Sequence, residues 1–403
     1  MNIAFLTHEP FYPPSGGGSA EAVYLVKEMV KRGHQIHLFC PKVAEPESVQ
    51  QQFGVRLHEF TAWKMGRYAA GRNFKYLLYP FFLQRLVEQS ARSVPFDLVL
   101  SQHAISAVTA GRLKRKLRLP VVMNFLDYLT GFMETWPPYL MPPPILSLLE
   151  KYELSLPLRC QADAVMTVSD TLADYFAGAG YARERILPIY YGYDAELFPF
   201  QERSEHGGEG KAPVVVMHGS LDHHHLKAIA LQAMEYVSQA KPKAVFRFVG
   251  HRTGTLQTFL RQVEERIPRA KIECPGFVPY AEVAQHLATA TLGIIPYEES
   301  TGTHCAFVAK LVEYLAVGLP VVSTPLDSAR RYFKDEPMVR FAGFDGIDFG
   351  RKIVSWLEEP PAQRQALARA ASARVQAELD WRAISKKAVD FVERIYQQSA
   401  RRN

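Results

Sequence analysis

The chain has 403 residues, 48% hydrophobic and 22% charged, with a formal net charge of +6. That length suits two domains with room for a third, and the composition excludes a disordered or low-complexity protein. The one long uncharged stretch, Thr135 to Leu149, is broken by prolines at 137, 138, 142, 143 and 144 and is too short to span a bilayer.

Met1-Asn2 leads straight into a strand-like run, Ile3–Leu6, without the basic and apolar regions of a secretory signal. A cytoplasmic location is expected. Short apolar runs then recur with helical stretches between them: Ile3–Thr7, Gln35–Phe39, Val55–Glu59, Leu98–Ser101, Val121–Phe125, Ala164–Val168 and Ile186–Ile189. This is the pattern of strand-helix-strand units building a parallel sheet. A polar, glycine-rich break at Gln201–Lys211 reads as a linker. Beyond it a second set follows: Val214–Met217, Phe246–Val249, Ile272–Cys274, Leu292–Ile295, Val321–Ser323 and Val339–Phe341. Helical periodicities at Ala20–Arg32 and Ala306–Val317 stop at Gly33 and Gly318, the place of a C-terminal cap. The expectation is an α/β protein of two Rossmann-like doubly wound domains, residues 1–200 and 201–383, facing each other across a cleft. A last helix from about residue 384 packs back on the first domain. Cys40, Cys160, Cys274 and Cys305 lie too far apart for a metal or disulfide motif and read as reduced thiols.

From Lys64 to Arg118 eleven Lys and Arg face two acidic residues, Glu88 and Asp97, a net +9. Trp63, Tyr68, Phe74, Tyr76, Tyr79, Phe81 and Phe82 are interleaved with them. Such a segment suits an anionic lipid surface, or else a solvated helix face backed by core aromatics.

Two stretches carry chemistry. Gly16-Gly17-Gly18 stands before the first helix, where uncovered amides and the helix dipole suit a phosphate, although a glycine run serves equally as a flexible loop. In the second half a small-residue loop, Thr301-Gly302-Thr303-His304-Cys305, enters a helix with Lys310 and Glu313 on one face. There a carboxylate can accept from two adjacent ribose hydroxyls while an ammonium and loop amides hold a diphosphate; the alternative is a surface ion pair. His103, at the end of a strand, either meets the acceptor or caps the sheet. The run His223-His224-His225 lacks ligand spacing, so no metal is expected.

In their order these motifs resemble the retaining glycosyltransferases of family four, which have the GT-B fold. Ile3-Ala4-Phe5-Leu6-Thr7 with Gly16-Gly17-Gly18 is similar to their N-terminal glycine loop, and Ala162–Ser169 to the strand before the interdomain segment. Pro188 to Gly192 and Asp194, with Phe198, is similar to the crossover. Lys310, Glu313-Tyr314-Leu315-Ala316, Gly318 and Pro320 resemble the donor-site helix. Three positions depart from the family pattern. Cys305 stands where many members have a first glutamate, Ser220 where they have an arginine, and Leu126-Asp127 where they have His-Asp. The resemblance implies transfer of a hexose from a UDP- or GDP-sugar to an acceptor hydroxyl, with retention and without a cofactor or divalent metal. The expected catalytic residues are Asp127, Lys310 and His103. The expected donor-binding residues are Gly16, Gly17, Gly18, Gly219, Ser220, Arg252, Thr303, His304, Cys305, Lys310 and Glu313. Expected partners are the nucleotide-sugar, a glycan or lipid-linked acceptor and an anionic inner membrane surface, but no nucleic acid. A nucleotide-sugar epimerase, or a non-catalytic nucleotide-binding subunit of polysaccharide assembly, has the same architecture.

Overall fold

The computed structural model of the protein describes residues 1–14, 17–60, 74–136, 138–139, 141–202 and 212–401. Among these residues the apolar runs form two all-parallel sheets. The first holds β1 (Asn2–Leu6), β2 (Gln35–Pro41), β3 (Arg56–Phe60), β4 (Leu98–Gln102), β5 (Val121–Phe125), β6 (Ala164–Thr167) and β7 (Ile186–Pro188), in the order β3-β2-β1-β4-β5-β6-β7. Ile3 lies in register with Ile36 on one side and Leu98 on the other. The second holds β8 (Val214–His218), β9 (Val245–Val249), β10 (Lys271–Gly276), β11 (Leu292–Ile295), β12 (Val321–Ser323) and β13 (Val339–Phe341), in the order β10-β9-β8-β11-β12-β13. Every residue of β4, β5, β6, β11 and β12 is buried. Helices on both faces leave such a sheet no solvated side, which is why its strands read as unbroken apolar runs rather than as an alternation.

In each sheet the strand order reverses once, between β1 and β4 and between β8 and β11. Connections leave to opposite faces at that point, opening a crevice outside the carboxyl ends of the two strands.

The chain divides into two compact units. One comprises Met1–Thr130, Pro142–Tyr190 and Trp381–Asn403; the other comprises Gly131–Met141 and Tyr191–Asp380. The core of the first centres on Phe5, Phe39, Phe125 and Phe176, and that of the second on Phe246, Phe248, Tyr314 and Trp356, all buried. The helix Trp381–Ala400 belongs to the first unit, with Trp381, Ile384, Ala388, Phe391 and Ile395 buried at helical spacing. It lies along the helix Gly17–Lys31: Trp381 stacks on Tyr24 at 5.6 Å, and Arg32 reaches Asp390 at 2.6 Å and Glu393 at 2.9 Å.

The helix expected at Ala306–Val317 forms only over Ala309–Ala316, and the loop expected at Thr301–Cys305 is itself a short helix. Ala306 and Val308 take extended backbone angles between them, and the intervening Phe307 is buried against Tyr332 and Phe333. Burying that ring outweighs the few hydrogen bonds of an unbroken helix. The terminal glycine stop holds, for Gly318 has φ +78° and a side chain there would strike Phe200 at 2.7 Å.

Candidate active site

The second unit gathers its polar side chains at the carboxyl ends of β8 and β11, where its strand order reverses. His218 ends β8, and its Nε2 lies 2.6 Å from Glu313 Oε2 on the helix Ala309–Ala316. The hydroxyl of Tyr280 donates to the other oxygen, Oε1, at 2.8 Å. Beside this carboxylate, Lys310 donates to the hydroxyl of Tyr297, just past β11, at 2.9 Å. Lys310 and Glu313 are 8% and 4% exposed, so they are not a surface ion pair, and each is bonded to a partner other than its neighbour. A buried charge held this way must repay its desolvation through fixed partners, which suits a binding site better than a stabilising contact.

Backbone reaches the same place. Gly219, following β8, has φ +92°, and a Cβ there would come within 3.0 Å of Lys310 Cε. Gly250, following β9, packs against it so closely that a Cβ would lie 2.2 Å from the Gly219 carbonyl oxygen. Two glycines thus leave a turn beside the ammonium uncovered by side chains, with half-buried Ser220 next in sequence.

The other donor-site nominees sit further out or are engaged in building turns. Thr303 is fully buried in a capping box with Ser300, its hydroxyl within 2.9 Å of the carbonyls of Glu298 and Ser300, either of which can take its proton. Gly302 allows the Gly131–Phe132 backbone to approach, since a Cβ would meet the Phe132 nitrogen at 2.3 Å. His304 lies between the carboxylates of Asp327 (3.2 Å) and Glu299 (3.5 Å). Cys305 is fully buried and forms no disulfide. Arg252 is exposed, with Nη2 donating to the Cys274 carbonyl. In the histidine run, His225 is buried, accepts from the Asp222 amide and packs on Tyr297 at 4.3 Å. Among the described residues no group of three or more His, Cys, Asp or Glu could hold a metal ion.

The first unit has its own polar crevice at the carboxyl ends of β1, β4 and β5. Gln102, ending β4, donates to the Gly18 carbonyl at 2.8 Å and to Glu21 Oε2 at 3.1 Å, while accepting from the Thr7 hydroxyl at 3.0 Å. Asn124 in β5 donates to both Glu21 oxygens at 3.1 Å. Burial pushes the Glu21 acid up to about 8; the hydrogen bonds from Asn124 and Gln102 oppose that rise, and the charge of Asp127 adds to it. Asp127, half-buried after β5, is therefore close enough to feel Glu21. His103 follows β4 with φ +66°, an uncommon conformation for a residue with a side chain, and its ring meets His8 edge-on at 4.9 Å. Its Nε2 would be 2.9 Å from a Cβ on Gly18, so the glycine makes room for the imidazole. Gly17 opens the helix and Gly16 lies outside the described residues. The geometry thus brings His103 and Gly18 together, with Asp127 within electrostatic reach of Glu21, and Lys310, Glu313 and Gly219 together; Arg252, Thr303 and His304 make other contacts.

Sequence reasoning missed His218, Tyr280 and Tyr297 in one unit and Glu21, Gln102 and Asn124 in the other. A faint signal existed for three of them. His218, Gln102 and Asn124 are polar residues in or at the end of otherwise apolar parallel strands, where only a bonded polar group is tolerated.

Residues 15–197 match the family model described as Glycosyltransferase Family 4, and residues 212–359 match Glycosyl transferases group 1. The chain belongs to the family-four glycosyltransferases of the GT-B fold. Among family relatives, the chain is 28% identical over 199 residues to TuaH of Bacillus subtilis, a protein whose name assigns it to teichuronic acid biosynthesis as a glycosyltransferase. That match spans 47% of this chain and 47% of TuaH, about half the length of the curated relative. Sucrose-phosphate synthase from Thermosynechococcus elongatus has a similar fold, with TM-score 0.80 and 14% identity over 98% of this chain and 99% of that one. HepE of Anabaena, crystallised with UDP and glucose, superposes with TM-score 0.71 at 19% identity, again over 98% and 99%.

Proposed function

We propose that the protein transfers a hexose from a UDP- or GDP-sugar to a hydroxyl of a glycan or lipid-linked acceptor, with retention at the anomeric carbon and without a cofactor or divalent metal. The observation that carries this reading is the buried Glu313 carboxylate beside the buried Lys310 ammonium, at the strand-order reversal of the second unit. A carboxylate there accepts from the donor ribose, and the ammonium with the uncovered Gly219 turn faces the diphosphate. HepE was crystallised with UDP-glucose, which favours testing uridine donors first.

In the proposed reaction the acceptor oxygen bonds to the anomeric carbon on the face from which the phosphate leaves. The anomeric carbon–phosphate oxygen bond breaks, and the acceptor's proton passes to that departing oxygen. Lys310 and the turn amides stabilise the charge growing on the diphosphate, a role a metal ion fills elsewhere. Asp127 and His103, in the first unit, orient the acceptor hydroxyl.

A thermal-shift screen against UDP, GDP, ADP and their sugars tests the donor, since a ligand at a hundred times its dissociation constant stabilises by about 2.7 kcal/mol. Stabilisation by UDP or GDP and their sugars is expected; no shift with any of them overturns the reading. Conversion of the donor alone to its epimer would replace it with an epimerase, and nucleotide binding without transfer to any glycan would make the protein a binding subunit.

We further propose that the first unit docks reversibly on the anionic cytoplasmic face of a membrane. No helix among the described residues is long and apolar enough to cross one. Lys64, Arg67, Arg72, Trp63 and Tyr68 of the basic segment fall outside the described residues, as do the side chains of Phe74, Lys75 and Tyr76. Of its aromatics, Tyr79 is buried while Phe81 and Phe82 are exposed, and the Arg112 guanidinium lies 4.4 Å from the Phe81 ring. Ile145, Leu148 and Tyr152 are exposed along the helix Pro143–Leu154, with Arg159 4.2 Å over Tyr152. Exposed apolar side chains interleaved with guanidinium groups suit a headgroup layer. Co-sedimentation with anionic but not neutral liposomes at low salt is expected; equal recovery in the supernatant at low and high salt with both would overturn it.

A further inference from the structure

Each oxygen of the Glu313 carboxylate carries one hydrogen bond among the described residues, Oε2 with His218 and Oε1 with Tyr280. A carboxylate that only accepts takes a hydrogen bond from the His218 tautomer carrying its proton on Nε2. It also offers about four lone-pair positions, two on each oxygen. One therefore remains on each, and a group that fills both must present two donors side by side.

Both donors are braced. The His218 ring is buried edge-on to Tyr314 at 5.1 Å, and its backbone nitrogen donates to the Tyr314 hydroxyl. The Tyr280 ring packs on the buried Phe198 at 5.0 Å. Packing of both rings on buried neighbours restrains the carboxylate and the direction of its two remaining positions. With the Glu313 side chain only 6% exposed, water is a poor substitute for a missing donor there.

We infer that His218 and Tyr280 are positioning residues that make Glu313 a selector for a vicinal diol, so that the site takes a ribonucleotide and rejects its 2′-deoxy counterpart. This rests on the reading of Glu313 as the ribose acceptor and adds to it the residues that set its specificity. Losing one of two hydroxyls strands one buried acceptor position, whereas a ligand without ribose never engages the carboxylate at all.

The test is calorimetric titration of wild type, His218→Ala, His218→Gln and Tyr280→Phe. The ligands are UDP or GDP, whichever wild type binds, the matching 2′-deoxy diphosphate, and inorganic pyrophosphate. Wild type should prefer the ribonucleotide roughly 10- to 100-fold, the worth of a hydrogen bond to a charged group. His218→Ala and Tyr280→Phe should each narrow that preference at least about fivefold, and His218→Gln, whose amide can still donate, should recover part of it, with pyrophosphate affinity unchanged throughout. Equal affinity of wild type for the two nucleotides, or an unaltered preference in both His218→Ala and Tyr280→Phe, overturns the inference while leaving the donor reading intact. A uniform loss for all three ligands would assign His218 and Tyr280 to the fold and also overturn it. Failure of wild type to bind either nucleotide overturns the donor reading and the inference together.

Discussion

The two strand-order reversals occupy equivalent places in two sheets of the same kind, yet each holds its buried glutamate differently. In the first unit Glu21 is surrounded by carboxamides, from Gln102 and Asn124, and desolvation keeps its proton on at neutral pH. In the second, Glu313 receives an imidazole and a phenol and stands beside an ammonium. Equivalent topology therefore provides a crevice but not its chemistry. A neutral acid among amides suits a site for uncharged hydroxyls, whereas a partnered carboxylate beside a cation suits a diol joined to a diphosphate.

Removing the cation should separate the two sites most sharply. Lys310→Ala is expected to lower turnover roughly 100- to 1,000-fold with a smaller change in the donor KM, as when a preorganised charge stabiliser is deleted. Steady-state kinetics with the donor that the thermal-shift screen selects measures this, and a change in KM alone would make Lys310 a ground-state binder. On the first-unit side, Asp127→Asn should cut turnover at least roughly tenfold while leaving nucleotide affinity unchanged. Weaker nucleotide binding in that variant would erase the contrast between the units.

Stability effects are smaller. Glu21→Ala strands amide donors of Asn124 and Gln102 and should cost about 1–3 kcal/mol in chemical denaturation, whereas Glu21→Gln, which keeps an acceptor and a donor as the protonated acid does, should cost much less. The pH dependence has a definite sign. The folded protein holds Glu21's proton up to about 8 against an ordinary value of 4.5, so this stabilisation is complete below 4.5 and is lost as pH rises through 8. The melting temperature of wild type relative to Glu21→Gln should fall across that window; a constant difference would mean Glu21 ionises normally. His58 gives the smallest and opposite effect. Burial, with His37 and Arg56, holds it down to about 4, so its contribution is present above 6.5 and is lost as pH falls through 4. His58→Gln should flatten the acid limb of the melting curve, and an unchanged limb would assign acid lability elsewhere.

Much of the architecture was legible from local pattern. The apolar runs predicted for both sheets coincide with β1 to β13 within two residues at their ends, because strands buried on both faces are predominantly apolar. Lys310 and Glu313 were legible as a pair on one helical turn, and Gly33 and Gly318 as stops, because these are properties of neighbouring residues. The break at Phe307 was not, since its cause is two aromatic rings some twenty-five positions further along the chain.

Local pattern is enough for two parallel α/β sheets, the strands whose ends carry the polar residues, and the helix that bears the candidate donor site. Which side chains meet there follows from the folded chain alone. Glu21 finds Gln102 and Asn124, and Glu313 finds His218 and Tyr280, across separations of 33 to 103 residues. Strand and helix periods fix where a side chain points relative to its neighbours over a few residues. Which distant polar group it faces depends on strand order and register, and these are settled by burying apolar surface and pairing backbone across the whole sheet.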